Sequence, residues 1–325
     1  MEKLYEYTSV DGNVSPDPLR DIRNQIMAGA NVVAVSVMPG PQLSEAFPHG
    51  RALKQEFPGI TVVWGGYFPT LHTSACLHPS AADVVVRGHG ELVFLEWLNL
   101  NANGGDWRAL PGLAFREGTG LVIENPPALI PDPEDLPSYP YHRLDMEQYL
   151  RSTCLGSRTL SHHSSYGCPF LCNFCAVVNM VNGRWLAQSA PRVATTVEFL
   201  VKRWRANAIE FHDNNFFTSE ARVAGIADRI APLHISWWGE ARIDTLLKFS
   251  DHTWSLMRDS GLKMVFMGAE SASKDMLRRM SKGGSLTPEK TLAIAAKTAA
   301  YGIVPEFSFV EYSLFRLMLI DLIPP

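Results

Sequence analysis

Short apolar runs rich in valine and isoleucine, each stopped by glycine or proline, recur along the chain with helix-length stretches between them. This repetition narrows the possible folds more than any other feature. In the first 130 residues the runs are 31–38 (NVVAVSVM), 60–64 (ITVVW) and 83–87 (DVVVR). Each is almost wholly apolar rather than alternating, the pattern of strands covered on both faces, as in a parallel sheet joined by crossover helices. The turns that end them, Pro39-Gly40, Gly65-Gly66 and Gly88, gather at the carboxyl edge of one sheet. Open α/β sheets take their ligands at that edge. The runs LAFRE and LVIEN, around residues 118–120, predict a small hairpin.

A stretch bearing Pro126, Pro127, Pro131, Pro133, Pro137 and Pro140 has neither helical nor strand period and reads as a linker. Beyond it the alternation restarts, with candidate strands at 159–165, 208–212, 235–238, 263–267 and 303–310 and helices at 191–204 and 251–259. The expected organisation is an α/β domain over residues 1–130, a linker over 131–155, a second α/β domain over 156–310 and an atypical apolar tail over 311–325. Repeated βα units build either a doubly wound sheet or a full or partial barrel, and periodicity does not choose between them.

With 325 residues, 46% of them hydrophobic, the chain can bury cores for about two domains. A net charge of -4 gives no basic footprint for neutralising phosphates, so nucleic acid is not an expected partner. No apolar stretch is long enough to span a bilayer, and the start of the chain lacks the basic and apolar regions of a secretory signal. Five cysteines, three of them within eight positions, suit metal binding in a reducing compartment better than a disulfide framework; the expected location is the cytoplasm.

Those three, Cys168, Cys172 and Cys175, lie in the segment SYGCPFLCNFC, separated by three and then two residues. Thiolates so close can converge on one soft metal centre. A four-iron cluster with three protein thiolates leaves one iron open, which points to catalysis. A zinc site completed by His162, His163 or Cys154 is the alternative, although structural zinc sites usually pair two C-x2-C knuckles. Cys76 and Cys154 stand alone and read as structural.

The C-x3-C-x2-C loop, with Phe174 just before the last cysteine, resembles the signature of the radical S-adenosylmethionine superfamily. The resemblance implies a partial (β/α) barrel and a [4Fe-4S] cluster on Cys168, Cys172 and Cys175. It also implies S-adenosylmethionine chelating the open iron and reductive cleavage to a 5′-deoxyadenosyl radical. The electron would come from an external donor of the flavodoxin or ferredoxin type. Phe174 would lie beside the adenine. Residues 211–216, 238–242 and 267–271 resemble the family's second, third and fourth strand ends, which implies Asp213, Glu240, Arg242 and Glu270 as contacts of S-adenosylmethionine. Polar groups at the carboxyl ends of strands suit a ribose, an amine and a carboxylate. The blander reading has Asp213 capping a helix and Glu240 paired with Arg242.

Ser36-Val37-Met38, followed after 26 residues by Gly65-Gly66, resembles two elements of the cobalamin-binding, Rossmann-like domain that precedes the barrel in one group of radical enzymes. Residues 86–91 resemble the turn that closes that domain. Ser36, Gly65, Gly66 and Gly88 are the implied cobalamin contacts. The family's opening strand and D-x-H-x-x-G loop would lie upstream of residue 1, and residues 311–320 depart from the glycine-rich turn expected after 310, so the expectation is a chain truncated at both ends. None of His49, His72, His78 and His89 is identified as an axial ligand. The implied reaction is radical modification of an unidentified small molecule or lipid, by cobalamin-dependent methyl transfer or by cyclisation. Two alternatives stay open: an inactive remnant that binds cluster or corrinoid, and a zinc-binding module.

Overall fold

The computed structural model describes residues 4–78, 81–118, 120–282 and 286–310; the apolar tail at 311–325 lies outside them. The chain divides into two compact units, Met1–Pro131 and Asp132–Pro325.

In the first unit, β1 (Val32–Ser36), β2 (Thr61–Gly65) and β3 (Val84–Val86) run parallel in that order. The predicted hairpin, β4 (Leu113–Arg116) and β5 (Val122–Glu124), extends the sheet antiparallel from β3. Successive strand residues point to opposite faces, and both faces are covered. Val62, Trp64 and Val85 pack with Leu53 of the helix Pro41–Glu56, while Val63, Val84 and Val86 pack with Val93 and Trp97 of the helix Gly90–Ala102. This two-sided burial is why the strands read as continuous apolar runs. Among the described residues the helix Pro18–Met27, capped by the Asp17 carboxylate on Arg20 N, precedes β1 and no strand does.

The second unit contains β6 (Thr159–His162), a separate antiparallel pair β7 (Ser165–Gly167) and β8 (Trp185–Ala187), then β9 (Ala208–Phe211), β10 (Ser236–Ala241), β11 (Leu262–Glu270) and β12 (Val304–Phe309). β6, β9, β10, β11 and β12 form one parallel sheet in the same order as in the sequence. A doubly wound sheet reverses its strand order at a switch point. No reversal occurs here, which decides for a partial barrel.

Helices cover one face of this sheet. Val193, Val197 and Leu200 of the helix Ala190–Trp204, together with Val223, Ile226, Trp254 and Met257 from two further helices, pack on Ile209, Phe211, Trp237, Val265 and Met267. Ser189, Ser219 and Ser250 cap those three helices by accepting a backbone N–H from the first turn. The alternate residues, Ser161, Glu210, Trp238, Glu240 and Phe266, point away from that core and keep partial or full exposure.

Two expectations are corrected. The run at 159–165 is not one strand: β6 stops at His162 and β7 starts at Ser165. The stretch at 131–155 is not a free linker either, because it is fastened to the second unit. Glu134 accepts from Ser189 N and Oγ, each at 2.8 Å, Met146 is buried in the core, and Tyr141 Oη lies 2.9 Å from His162 Nδ1. Burial pushes the His162 ring down to about 4, so it is neutral at physiological pH.

Candidate functional site

The three cysteines occupy the loop between β7 and β8, and the helix Ala176–Val181 begins directly after Cys175. The loop leaves β7 at Gly167, whose φ is +79°. A Cβ there would collide with Arg184 O and approach Val181 Cγ2 to 2.9 Å, so only glycine allows this exit. All five cysteines are free thiols.

The entry to β7 is fixed from β9. Asp213, fully buried just after β9, accepts from Ser164 N at 3.1 and 3.2 Å, from Ser164 Oγ at 2.9 Å and from Ser165 Oγ. Arg222 Nη2 donates to the same Ser164 Oγ at 2.7 Å. This carboxylate explains the break between β6 and β7: it draws the backbone at Ser164 out of the β6 path. With no exposed surface and its oxygens engaged, Asp213 is a staple beneath the cysteine loop.

Arg242, just after β10, is likewise committed to the loop. Its guanidinium holds Asp244 at 3.0 and 2.9 Å, donates to Lys282 O at 3.1 Å and to Cys172 Sγ at 3.3 Å, and lies 3.9 Å over the Phe170 ring. Burial acts to lower its pKa, but the Asp244 carboxylate outweighs that and keeps the guanidinium above its ordinary value. Arg242 thus braces the cysteine loop through Cys172. Its partner is Asp244, not Glu240 as the blander reading had it.

Glu270 ends β11 in a left-handed conformation, φ +62°, and its buried carboxylate pairs with the buried Lys282 ammonium, which lies 5.7 Å from the Phe174 ring. A Cβ at Gly268 would strike both charged groups, so glycine makes room for the pair. Glu270 thus reaches the cysteine loop through Lys282. The carboxyl end of the helix Lys274–Arg279 also touches the loop directly, through Asn173 N on Met280 O at 3.2 Å and Asn173 Nδ2 on Arg279 O.

Phe174 and Glu240 remain available to a ligand. Both are partly exposed, and Glu240 stands on the uncovered sheet face with Trp238 and Phe266. On that face Glu210 takes Arg151 at 3.0 Å and His212 at 3.3 Å, and Trp238 Nε1 donates to Glu306 at 3.4 Å. Burial, with Asp213 and Glu306 adding their charges, pushes the Glu240 carboxyl up to about 7. The fold then holds this proton more tightly than the unfolded chain does between the ordinary value of 4.5 and about 7. Native stability should fall as pH rises through that window. Glu240→Gln is expected to flatten this slope, read by urea unfolding at pH 5 and pH 7.5; parallel curves for parent and variant would contradict the assignment.

The thiols suit an iron-sulfur cluster by their chemistry. Burial pushes the Cys168 thiol up, so its thiolate needs a cation close by, as an iron provides. Asn215, fully buried, aims Nδ2 at Cys168 Sγ from 4.0 Å. A cluster takes each thiolate on a separate iron. Among the described residues no three His, Cys, Asp or Glu side chains are placed to share a single ion. Of the candidate fourth ligands for zinc, His162 is already engaged by Tyr141. Phe170, Asn215, Asp244 and Lys282 were missed in the sequence; the pair Arg-x-Asp at 242–244 is the one signal that could have pointed to a buried ion pair.

In the first unit the implied cobalamin contacts meet at the carboxyl edge of the sheet. Gly66 has φ +98°, and a Cβ there would lie 3.1 Å from Ser36 Oγ and 3.2 Å from Val37 N and O. Thr70 Oγ1 donates to Gly66 O at 2.7 Å and accepts from Gly88 N at 2.9 Å, tying the turn after β2 to the turn after β3. Ser36 is exposed beside them.

Known proteins resemble this chain over most of its length. The B12 binding domain family matches residues 2–98, which include the segment ahead of β1. An uncharacterised methyltransferase of Pyrococcus horikoshii is 29% identical over 272 residues, covering 82% of this chain and 57% of the relative. The cobalamin-dependent S-adenosylmethionine radical enzyme OxsB, with aqua-cobalamin bound, superposes with a TM-score of 0.75 at 18% identity, over 90% of this chain and 43% of OxsB. The radical S-adenosylmethionine methyltransferase TsrM of Kitasatospora setae, with cobalamin and a [4Fe-4S] cluster bound, gives 0.73 at 17% identity, over 98% of this chain and 65% of TsrM. Over most of its length the chain is similar to radical S-adenosylmethionine proteins that carry a cobalamin-binding domain. It combines that Rossmann-like domain with a partial barrel, and it spans little more than half the length of its Pyrococcus relative.

Proposed function

We propose that the chain cleaves S-adenosylmethionine reductively and uses the radical to modify an unreactive carbon, with methyl transfer through cobalamin as the outcome. The observation that carries this reading is the loop of three free thiols, braced by Arg242, at the carboxyl end of a parallel half-barrel. Cys168, Cys172 and Cys175 would hold a [4Fe-4S] cluster, which when bound supplies the electron for cleavage. Phe174 and Glu240 are the residues best placed to meet S-adenosylmethionine. A carboxyl that titrates near neutrality can accept a proton or a hydrogen bond from an amine as conditions require. Asp213, Arg242 and Glu270 act at one remove, holding the loop, one thiol and Lys282 in position.

Ser36, Gly65, Gly66 and Gly88 would hold cobalamin in the first unit, which when bound supplies the methyl carrier. Close backbone approach at Gly66 fits this role. Gly66→Val places a β-branched residue at a positive φ, against Ser36 and Val37. It is expected to reduce corrinoid retention at least tenfold, read by absorbance after hydroxocobalamin loading and gel filtration. Undiminished retention would remove the glycine from the site.

The reductant is an external donor of the flavodoxin or ferredoxin type, in the reducing cytoplasm that free thiols favour. Among the described residues no helix is long and apolar enough to cross a membrane. The reaction is tested by chromatography of the products of S-adenosylmethionine after anaerobic reconstitution and reduction. Methyl transfer yields S-adenosylhomocysteine along with 5′-deoxyadenosine. 5′-Deoxyadenosine alone would turn the reading to cyclisation or another radical reaction.

A further inference from the structure

We infer that Arg242 sets the reduction potential of the cluster, and that Asp244 opposes it; this rests on the cluster-binding reading above. A hydrogen bond to a cluster thiolate and a positive charge beside it both stabilise the reduced cluster, because reduction adds negative charge at that point. Arg242 offers both to Cys172, with Nη1 3.3 Å from Sγ. Its other contacts fix its aim. Asp244 takes the guanidinium at two nitrogens, Lys282 O takes a third hydrogen bond, and the Phe170 ring closes one face. Arg242 and Asp244 are each only 6% exposed, so solvent screens this charge little.

The three thiols are not equivalent in this respect. Cys172, the most buried of them, is hydrogen-bonded by the guanidinium itself; Cys168 takes the neutral Phe170 backbone N–H and, at 4.0 Å, the neutral Asn215 amide, and feels Arg242 only through space. The charge is therefore concentrated on the iron that Cys172 would hold. Arg242 is a positioning and tuning residue: it touches a ligand of the cluster and acts on the electron through that ligand.

The test is a dithionite titration of the anaerobically reconstituted chain, following the reduced-cluster signal by electron paramagnetic resonance, in the parent, Arg242→Gln and Asp244→Asn. Iron and sulfide content is measured on each sample. Arg242→Gln should lower the midpoint, with about a tenfold change in the reduction equilibrium, or 59 mV for one electron. Asp244→Asn keeps the guanidinium and removes the opposing charge, so its midpoint should rise. Opposite signs separate an electrostatic role from general loosening of the loop, which would move both variants the same way. Should Arg242→Gln fail to fold, the rise in Asp244→Asn still decides the matter. Clusters with unchanged midpoints, or midpoints moved in one direction only, would overturn the inference. A parent that takes up no iron and sulfide would instead overturn the cluster-binding reading itself.

Discussion

Cys172→Ala is expected to fold and to lose its cluster. Anaerobic reconstitution should give the parent iron, acid-labile sulfide and the brown absorption of a [4Fe-4S] centre, while the variant returns close to none of the three. The reason lies in the number of ligands: with three protein thiolates for four irons, removing one leaves two irons without a protein ligand. Folding should survive because the substitution deletes a single sulfur and leaves the β7–β8 pair and the clamp on Phe170 in place. Cys154→Ala, at an exposed position outside the loop, should match the parent in iron and sulfide. Full cluster content in Cys172→Ala would remove Cys172 from the ligand set.

The second large effect falls on stability. Asp213→Ala leaves Ser164 N, Ser164 Oγ and Ser165 Oγ without their acceptor in a site that has no exposed surface. An orphaned buried donor costs about 1–3 kcal/mol, and hydroxyls recover part of this by turning, so a total of about 3 kcal/mol is expected. For a unit of this size that corresponds to a fall in melting temperature of roughly 6–12 °C. Because the carboxylate fixes the entry to the cysteine loop, the rate of thiol alkylation in the unreconstituted chain should rise as well. Asp213→Asn retains one acceptor oxygen and should fall between the two. A melting temperature within about 2 °C of the parent would show that Asp213 does not hold the loop.

These effects divide between what the sequence makes legible and what it hides. The apolar runs at 60–64 and 83–87 mark β2 and β3 because both faces of those strands are buried, so every residue must be apolar. The run at 159–165 misleads because Ser161, His162, His163, Ser164 and Ser165 carry no alternation that could reveal the break imposed by Asp213, 48 residues further on. The choice between a doubly wound sheet and a barrel is hidden for a related reason: strand order depends on which neighbour each strand pairs with, and the βα repeat is the same in both.

At the site, the three cysteines are legible because their spacing alone brings them together. The residues at the strand ends are legible in place but not in role. Spacing puts Asp213, Glu240, Arg242 and Glu270 near the carboxyl edge, yet it cannot say whether each side chain turns toward an open face or back onto the loop. Only Glu240 stands on the uncovered face. The others are drawn inward by Ser164 and Ser165, by Asp244 and Cys172, and by Lys282. A buried charge demands such partners, and here they come from distant positions in the sequence.

The anaerobically reconstituted chain is reduced with dithionite in the presence of S-adenosylmethionine, and 5′-deoxyadenosine is measured beside Cys172→Ala treated identically. 5′-Deoxyadenosine is expected from the parent and none above background from the variant. An intact cluster that yields no 5′-deoxyadenosine would contradict radical initiation and favour a remnant that binds the cluster without turnover.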